Sequence, residues 1–284
     1  MICQKIGNRI KNVLSILEPN KKNFFKLQLI TGGCINSNFK LTTNYADFFL
    51  KTNSTHIADD FFFAEKKGVQ LLSQADNINV PEIYYVDKEF ILMSFIKPSP
   101  VSKIFWQNLA SSLVNIHSVK NNLFGLDYDN YIGSLSQQNN CNENWTDFFI
   151  ERRIMPQLKI SNFPVEIICR FENFFKKLED ILVQEKPTLL HGDFWSGNFI
   201  NNDSKPFFID PSVYFGSREM DIAMSKLFGG FDTNFYSTYN EIYPLIKNWE
   251  ERLDIYNIYP LLVHHNLFGG NYYVRILDIL KSFA

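Results

Sequence analysis

The sequence predicts an α+β protein, with an antiparallel sheet and one helix in a small N-terminal part and a larger, mainly helical C-terminal part. Short β-branched and aromatic runs separated by turn residues dominate the first third of the chain. Helical periodicity dominates the rest, and the change falls at Lys97-Pro98-Ser99-Pro100. We therefore predict two lobes, residues 1–96 and residues 97–284.

The individual elements follow from periodicity and turn residues. Apolar residues at helical spacing predict a first helix over residues 1–18, which Pro19-Asn20 stops. Strands are predicted at 25–30, 39–42, 47–51, 83–87 and 90–96, with a helix from about 59 to 74. The C-terminal part predicts helices at 104–117, 145–158, 165–183, 219–228 and 249–282, interrupted by strand-like residues 199–200 and 207–209.

Composition and charge exclude several classes of protein. With 284 residues, 45% of them hydrophobic, the chain can bury a large core. The formal net charge of -2 leaves no bulk basic field for nucleic acid or anionic lipid. No apolar run approaches the roughly 20 residues of a membrane span, and we expect no secretory signal. The four scattered cysteines make a zinc site or disulfide scaffold improbable and favour a reducing cytoplasm.

The sharpest chemical signal is one loop and the strand that follows it. The loop reads His191-Gly192-Asp193-Phe194-Trp195-Ser196-Gly197-Asn198, and the strand ends at Asp210. A carboxylate, a carboxamide five residues later and a second carboxylate at the end of the next hairpin strand resemble the catalytic and metal loops of kinase-like phosphotransferases. Phosphoryl transfer needs a group that accepts the proton of the attacking hydroxyl and hard oxygen ligands for Mg²⁺. Asp193 is the candidate base, and Asn198 and Asp210 are the candidate metal ligands. The alternative, that they only form turns and caps, is disfavoured because all three occur together in the right order.

A second pair of residues is predicted in the N-terminal part. On a helix over residues 61–72, Glu65 falls within an apolar stripe, where a carboxylate needs a partner. Lys51, at the end of the apolar strand, is the obvious cation. A strand lysine paired with a helix glutamate is how kinase-like sites hold a lysine against nucleotide phosphates. Taken alone, both residues could also be ordinary surface charges.

The loop over residues 31–38 is a weaker candidate for phosphate binding. Gly32 and Gly33 would let the backbone approach an anion, although a plain hairpin turn remains the alternative. Cys34 would then lie beside the phosphates, either as a redox-sensitive thiol or as a small buried residue.

Other residues around the catalytic loop have supporting roles. We expect His191 to brace the loop rather than to transfer protons. Trp195 either stacks on a sugar ring or belongs to the core. His264 and His265 are interpreted as packing or substrate-edge residues.

With these pieces in place, the sequence resembles the fructosamine 3-kinase or ketosamine kinase family, within the aminoglycoside phosphotransferase and choline kinase superfamily. The resemblance covers nearly the whole chain. Its motifs are Thr31-Gly32-Gly33-Cys34-Ile35-Asn36, Ala64-Glu65, Asp129-Asn130-Tyr131-Ile132-Gly133, Leu189-Leu190 with the loop 191–198, Ile209-Asp210-Pro211, Arg218-Glu219-Met220-Asp221-Ile222-Ala223-Met224, Leu227-Phe228-Gly229-Gly230-Phe231, Tyr239-Asn240-Glu241 and Asn266-Leu267-Phe268-Gly269-Gly270.

The resemblance implies a protein-kinase-like two-lobe fold that uses ATP and Mg²⁺ to phosphorylate the 3-hydroxyl of a ketosamine, the rearranged adduct of a sugar with an amine. In that family the phosphate destabilises the adduct and frees the amine, which is deglycation repair. Carried over to this chain, Lys51 contacts phosphates and Glu65 anchors it. The backbone of Met93, Phe95 and Ile96 would hold adenine. Asp193 would be the base, Asn198 and Asp210 would bind the metal, and Asp221 would support the backbone of the loop.

The chain departs from the family pattern at Ser217 and Val263, which bear on polar contacts to the substrate. The expected partner is a ketosamine, either free or as a glycated lysine of a protein, and the chain is expected to be a monomer or a weak homodimer. Two alternatives stay open. One is a kinase for another hydroxyl substrate, such as an aminoglycoside or an amino alcohol, which would predict an acidic cleft. The other is a nucleotide-binding pseudokinase.

Overall fold

The computed structural model describes residues 4–19, 24–30, 36–53 and 58–283. Five antiparallel strands form the N-terminal sheet in the order β1-β2-β3-β5-β4. They are β1 (Phe25–Ile30), β2 (Ser37–Thr43), β3 (Asp47–Thr52), β4 (Ile83–Val86) and β5 (Phe90–Ser94). Because β3 is the middle strand, its residue Lys51 is flanked by Asn38 of β2 and Ile91 of β5.

Two helices accompany this sheet. The amphipathic α1 (Gln4–Leu17) buries Ile10 and Leu14 in a cluster with Leu41 and Leu50 of the sheet. Helix α2 (Phe61–Leu72) follows β3 in sequence, and its Phe61 and Phe62 pack with Ile91 and Met93 of β5. Apolar side chains at helical spacing thus attach each helix to the sheet.

The C-terminal region is mainly helical. Its helices are α3 (Lys103–Ser118), α4 (Trp145–Phe148), α5 (Met155–Ile160), α6 (Val165–Ile181), α7 (Glu219–Leu227), α8 (Thr233–Ile242), α9 (Trp249–Phe268) and α10 (Tyr272–Lys281). A π-helical segment (Phe149–Ile154) connects α4 to α5. Two aromatic-rich clusters form the core of this region, one around α6 and α9 and the other around α3 and α8.

Three small antiparallel ladders position the loops of the helical region. They pair β6 (Asn130–Ile132) with β7 (Leu135–Gln137), β8 (Thr188–Leu190) with β11 (Tyr214–Gly216), and β9 (Phe199–Asn202) with β10 (Lys205–Phe208). Residues 191–198 leave β8 and enter β9, while residues 209–213 leave β10 and enter β11. The ladders therefore bring the two predicted chemical segments side by side.

The structure agrees with the predicted fold class and corrects several elements. The single predicted helix over 249–282 is wrong, because Gly269 and Gly270 adopt φ of +65° and +74° and end α9 before α10 begins. Strand β5 ends at Ser94 rather than at residue 96. Helix α8 and the short strands β6, β7, β8 and β11 were not predicted. No described helix is long and apolar enough to cross a membrane.

Candidate active site

Lys51 lies at a buried contact between the sheet, helix α2 and the segment after β10. Its Nζ donates to Glu65 Oε1 at 2.9 Å and Oε2 at 3.0 Å, and to Asp210 Oδ1 at 2.7 Å. Burial by itself would lower the pKa of Lys51, but the Asp210 and Glu65 carboxylates outweigh burial and raise that pKa. Lys51 is therefore a fixed cation, and the predicted contact with Glu65 is present.

Helix α2 can deliver Glu65 because its buried face lies close to the segment after Asp210. The Glu65 side chain is only 8% exposed and shares this face with Val69 and Leu72. At Gly68, an added Cβ would lie 3.3 Å from Pro211 Cγ. The absence of a side chain at Gly68 thus allows the helix to approach, and the approach keeps Glu65 within reach of Lys51.

The loop over residues 191–198 holds Asp193 and Asn198 together. Asn198 Nδ2 donates to the Asp193 carboxylate Oδ2 at 2.7 Å and to the Asp193 carbonyl oxygen at 2.8 Å. Burial raises the pKa of Asp193 to about 7, although the hydrogen bond from Asn198 opposes that rise. A carboxylate that titrates near neutral pH is suited to accept the proton of a hydroxyl group.

His191 and Gly192 shape the backbone before Asp193. Burial lowers the pKa of His191, so its ring is neutral. Its Nε2 donates to the Ile209 carbonyl at 3.0 Å, and its Nδ1 accepts the Asp193 N–H at 3.3 Å. Gly192 has φ of +80°, and an added Cβ would lie 2.0 Å from the Ser212 carbonyl oxygen. Both ring nitrogens of His191 are thus engaged in bracing the loop.

Asp221, on α7, binds the backbone of the same loop. Its Oδ2 accepts the N–H of His191 at 2.8 Å, and its Oδ1 accepts the N–H of Gly192 at 3.0 Å. His117 reinforces the carboxylate, with Nε2 at 3.2 Å from Oδ2 and Nδ1 at 2.7 Å from the Tyr239 hydroxyl. Because a carboxylate only accepts hydrogen bonds, Nε2 of His117 carries the proton. This buried chain holds the loop by its backbone.

Asn198 and Asp210 line the same cavity. Asn198 uses its amide nitrogen for Asp193, so its amide oxygen is the atom that it can offer to a cation. Asp210 uses Oδ1 for Lys51, which leaves Oδ2 for the same purpose. Among the described residues, no group of three or more His, Cys, Asp or Glu side chains could hold a metal ion. A cation here would therefore complete its coordination with ligand oxygens and water, as Mg²⁺ usually does.

A cavity of about 860 Å³ joins these groups. The sheet and the segment after it line one part of its wall, with Phe49, Met93, Phe95 and Ile96. Lys51, Glu65, Asp193, Asn198 and Asp210 lie along the same cavity. Trp195 and side chains of α7, α9 and α10 line the remaining part.

The structure thus brings most of the predicted site residues together. Gly32, Gly33 and Cys34 lie outside the described residues, so their predicted role stays a prediction. Sequence reasoning gave His117 only a structural role and could not find its partner Asp221, which is 104 positions away. It also left Asn130 and Tyr131 without a role, although the motif over residues 129–133 was a usable signal. Asn130 Nδ2 donates to the Val213 carbonyl at 2.8 Å and thereby ties β6 to the segment after Asp210.

Comparisons with solved structures agree with this architecture. A crystal structure from Haemophilus somnus, described as a candidate fructosamine-3-kinase, superimposes with a TM-score of 0.86 at 29% identity and covers 96% of both chains. The ternary complex of the aminoglycoside phosphotransferase APH(4)-Ia with AMP-PNP and hygromycin B gives a TM-score of 0.64 at 13% identity, over 97% of this chain and 99% of that one. At that identity the second likeness concerns the fold alone, and the predicted kinase-like fold class is confirmed.

Comparisons of the sequence identify the class of protein, a phosphotransferase with a hydroxyl group as acceptor. A family model described as fructosamine kinase matches residues 7–283. An Enterococcus faecium protein described as a probable ketoamine kinase is 36% identical, over 96% of this chain and 99% of its own length. The chain belongs to the fructosamine kinase family.

Proposed function

We propose that this protein is an ATP-dependent ketosamine 3-kinase that phosphorylates O3 of ribulosamine or fructosamine adducts. One observation carries the proposal: Asp193, Lys51 and Asp210 meet at a single cavity in a chain of the fructosamine kinase family. Residues 1–96 are proposed as the nucleotide-binding lobe and residues 97–284 as the catalytic and substrate lobe. The free thiols Cys141 and Cys169 fit a cytoplasmic location.

The nucleotide is proposed to bind between the sheet and Lys51. Ser94 makes the last ladder contact of β5, because its N–H donates to the Glu82 carbonyl at 2.8 Å. Phe95 and Ile96 follow this contact and line the cavity, which supports the proposal that their backbone groups hydrogen-bond adenine. Lys51, anchored by Glu65, would contact the α- and β-phosphates.

The donor set fits Mg²⁺, which Asn198 and Asp210 would hold through oxygen atoms. An ion held there would supply positive charge against the phosphates. The Asn198 side chain is only 5% exposed and its amide nitrogen is hydrogen-bonded to Asp193, which orients the amide oxygen before the nucleotide arrives.

Asp193 is proposed to accept the proton of the substrate hydroxyl. The oxygen O3 forms a new bond to the γ-phosphorus, the bond between that phosphorus and the β,γ-bridging oxygen breaks, and ADP leaves. The proton of the hydroxyl passes to Asp193 and then to solvent. The hydrogen bond from Asn198 orients the carboxylate for this transfer.

The chemistry of the phosphorylated product supports a proposed role in deglycation repair. A phosphate at C3, next to the C2 carbonyl of a ketosamine, is a better leaving group than a hydroxyl. Loss of a C1 proton would give an enaminol that expels the C3 substituent as inorganic phosphate, and water would then hydrolyse the resulting C1 iminium to a 3-deoxy dicarbonyl sugar and the free amine, either a small molecule or a lysine of a protein.

The decisive experiment is ATP consumption with Mg²⁺ on a panel of ribuloselysine, fructoselysine, an aminoglycoside and choline, with phosphorus NMR to locate the phosphate. We expect turnover on a ketosamine with the phosphate at O3. Turnover on the aminoglycoside or choline alone would retain the kinase and overturn the ketosamine assignment. ATP binding without turnover on any of the four would favour a pseudokinase.

A further inference from the structure

Four aromatic rings form a box at the part of the cavity wall that the helical region provides. Phe228 follows α7, His264 and Phe268 lie one turn apart on α9, and Tyr272 begins α10. The His264 ring centroid is 4.7 Å from Phe228, 5.6 Å from Phe268 and 5.2 Å from Tyr272. The break at Gly269 and Gly270 is what returns Tyr272 to His264. We call these four side chains the aromatic box.

The aromatic box is continuous with the proposed reaction centre. The Trp195 ring lies 6.3 Å from Phe228, edge to face, and Trp195 is two residues from Asp193. All four box residues line the same cavity as Asp193. A substrate with its hydroxyl at Asp193 would therefore extend past Trp195 into the box.

The aromatic box holds no carboxylate. The described acidic residues that line the cavity are Glu65, Asp193, Asp210 and Asp221. Glu65 and Asp210 bind Lys51, Asp221 binds the loop backbone, and Asp193 is the proposed base. Among described residues, the cavity lining from α9 and α10 is apolar or aromatic apart from His264. A polycation would find no counter-charge at the box.

His264 adds one acceptor to this apolar surface. Burial lowers the pKa of His264, so the ring is neutral, and Nδ1 lies 2.8 Å from the Pro260 carbonyl oxygen. A carbonyl only accepts, so Nδ1 carries the proton and Nε2 is a hydrogen-bond acceptor. A single ammonium group can therefore donate to this nitrogen, and no carboxylate of the box is available to a second one.

We infer that the aromatic box binds the amine portion of the ketosamine and selects adducts whose amine has one positive charge and an apolar body. The inference rests on the proposed function. A ketosamine carries a secondary ammonium group beside its sugar, followed by the body of the amine, so a substrate held at the loop extends its amine portion along the cavity toward the box. The side chain of lysine, with four methylenes, belongs to this class, whereas aminoglycosides and polyamine adducts do not.

The test compares two fructose adducts of equal length, made with hexylamine and with 1,5-diaminopentane, which differ by a terminal methyl group against a terminal ammonium group. We expect kcat/KM for the hexylamine adduct to be at least about tenfold higher, as expected for a charge left without a partner against apolar rings. Equal efficiency, or a preference for the diamine adduct, would overturn the inference.

Variants connect this preference to the box. Phe268 is 47% exposed at the rim, so its replacement leaves the core intact. Phe268→Ala should lower kcat/KM for the hexylamine adduct about threefold to tenfold, because the hexyl chain loses an apolar contact, and should lower it less for the methylamine adduct, which has no such chain. Phe268→Glu should reduce or reverse the preference between the two long adducts. The matched control is Phe63→Glu, at a 42% exposed phenylalanine of α2. It should change neither kcat/KM for the hexylamine adduct nor the preference between the two long adducts.

Failure of this inference is distinct from failure of the proposed function. Turnover of all three ketosamines with no effect of Phe268→Glu on selectivity would overturn the box assignment alone. Absence of turnover on the methylamine, hexylamine and diaminopentane adducts would overturn the ketosamine kinase, and the inference with it.

Discussion

The Tyr131 hydroxyl donates a hydrogen bond of 2.5 Å to Asp60, and this contact joins strand β6 to the start of helix α2. The Tyr131 ring also lies 5.1 Å from Phe61, while its carbonyl oxygen accepts the Ser212 hydroxyl at 2.8 Å. One residue thus touches both the helix that carries Glu65 and the segment that follows Asp210. Tyr131 therefore helps to hold Glu65 and Asp210, the two carboxylates that bind Lys51, at a fixed distance from each other.

Replacement of Tyr131 by Phe tests this contact, because it removes the hydroxyl and keeps the ring. A lost hydrogen bond to a carboxylate costs about 1 to 2 kcal/mol. We expect KM for ATP to rise about fivefold or more, as that loss predicts, with KM for the ketosamine nearly unchanged. Steady-state kinetics with each substrate varied separately provides the measurement. Tyr85→Phe, at a tyrosine packed on Phe90 in the sheet, is the control. An equal rise of both KM values would show a general structural defect instead.

Asp193→Asn tests the proposed base. The amide has nearly the same shape but cannot accept the hydroxyl proton, so kcat should fall by at least about a hundredfold. ATP affinity should change little, because the role of the base is expressed in the transition state. Turnover numbers and calorimetric binding of a non-hydrolysable ATP analogue measure the two effects. Near-normal turnover would refute the assignment of Asp193.

Lys51 should contribute to stability as well as to activity. Lys51→Met leaves the buried Glu65 without its cation, and breaking such a pair costs about 3 to 5 kcal/mol of unfolding free energy. The double variant Lys51→Met with Glu65→Gln removes the buried charge and should recover much of that loss without recovering turnover. Urea unfolding of the three proteins makes the comparison. No recovery in the double variant would mean that packing, rather than charge, sets the cost.

The His117 contact predicts a pH dependence of stability. Burial lowers the pKa of His117 in the folded protein, despite the opposing effect of Asp221. Below its ordinary value of about 6.5, the unfolded chain binds a proton that the folded protein does not, so acid destabilises the fold. Relative to His117→Asn, the wild type should lose up to about 1.4 kcal/mol more per pH unit below that value. Plotted against pH, the unfolding free energies of the wild type and of His117→Asn should run parallel above pH 7.5. Unfolding measured at pH 5.5, 6.5 and 7.5 shows whether the two diverge in acid. Parallel curves over the whole range would contradict a buried neutral His117.

Gly192→Ala should damage the catalytic loop, because the added methyl would overlap the Ser212 carbonyl oxygen and the backbone there has positive φ. Gly229→Ala is the matched control: φ is also positive, at +69°, but nothing lies within 4 Å of an added Cβ. The control should lose about 1 to 2 kcal/mol from backbone strain alone. Gly192→Ala should lose clearly more unfolding free energy, together with activity. Equal losses would show that the close approach of Ser212 yields easily.

Local patterns in the sequence determined much of the fold and the loop chemistry. Helices such as α1 and α6 follow from apolar residues that recur at helical spacing, which is a property of neighbouring residues. Asp193 and Asn198 could be recognised because five positions separate them within one loop. Glu65 could be recognised because it is a carboxylate within an apolar stripe of a helix. A carboxylate in such a position needs a cation as its partner.

Only the tertiary structure decided what meets at a distance along the chain. The contact of Lys51 with Asp210 spans 159 positions, and no local period relates them. Strands of three residues such as β6 and β8 are too short to show alternation, so pairing partners rather than their own sequence specify them. The aromatic box likewise depends on the left-handed turn at Gly269 and Gly270, which returns α10 to α9. Sequence periodicity depends only on residues that are close along the chain, whereas a site depends on how buried surfaces of separate elements pack together.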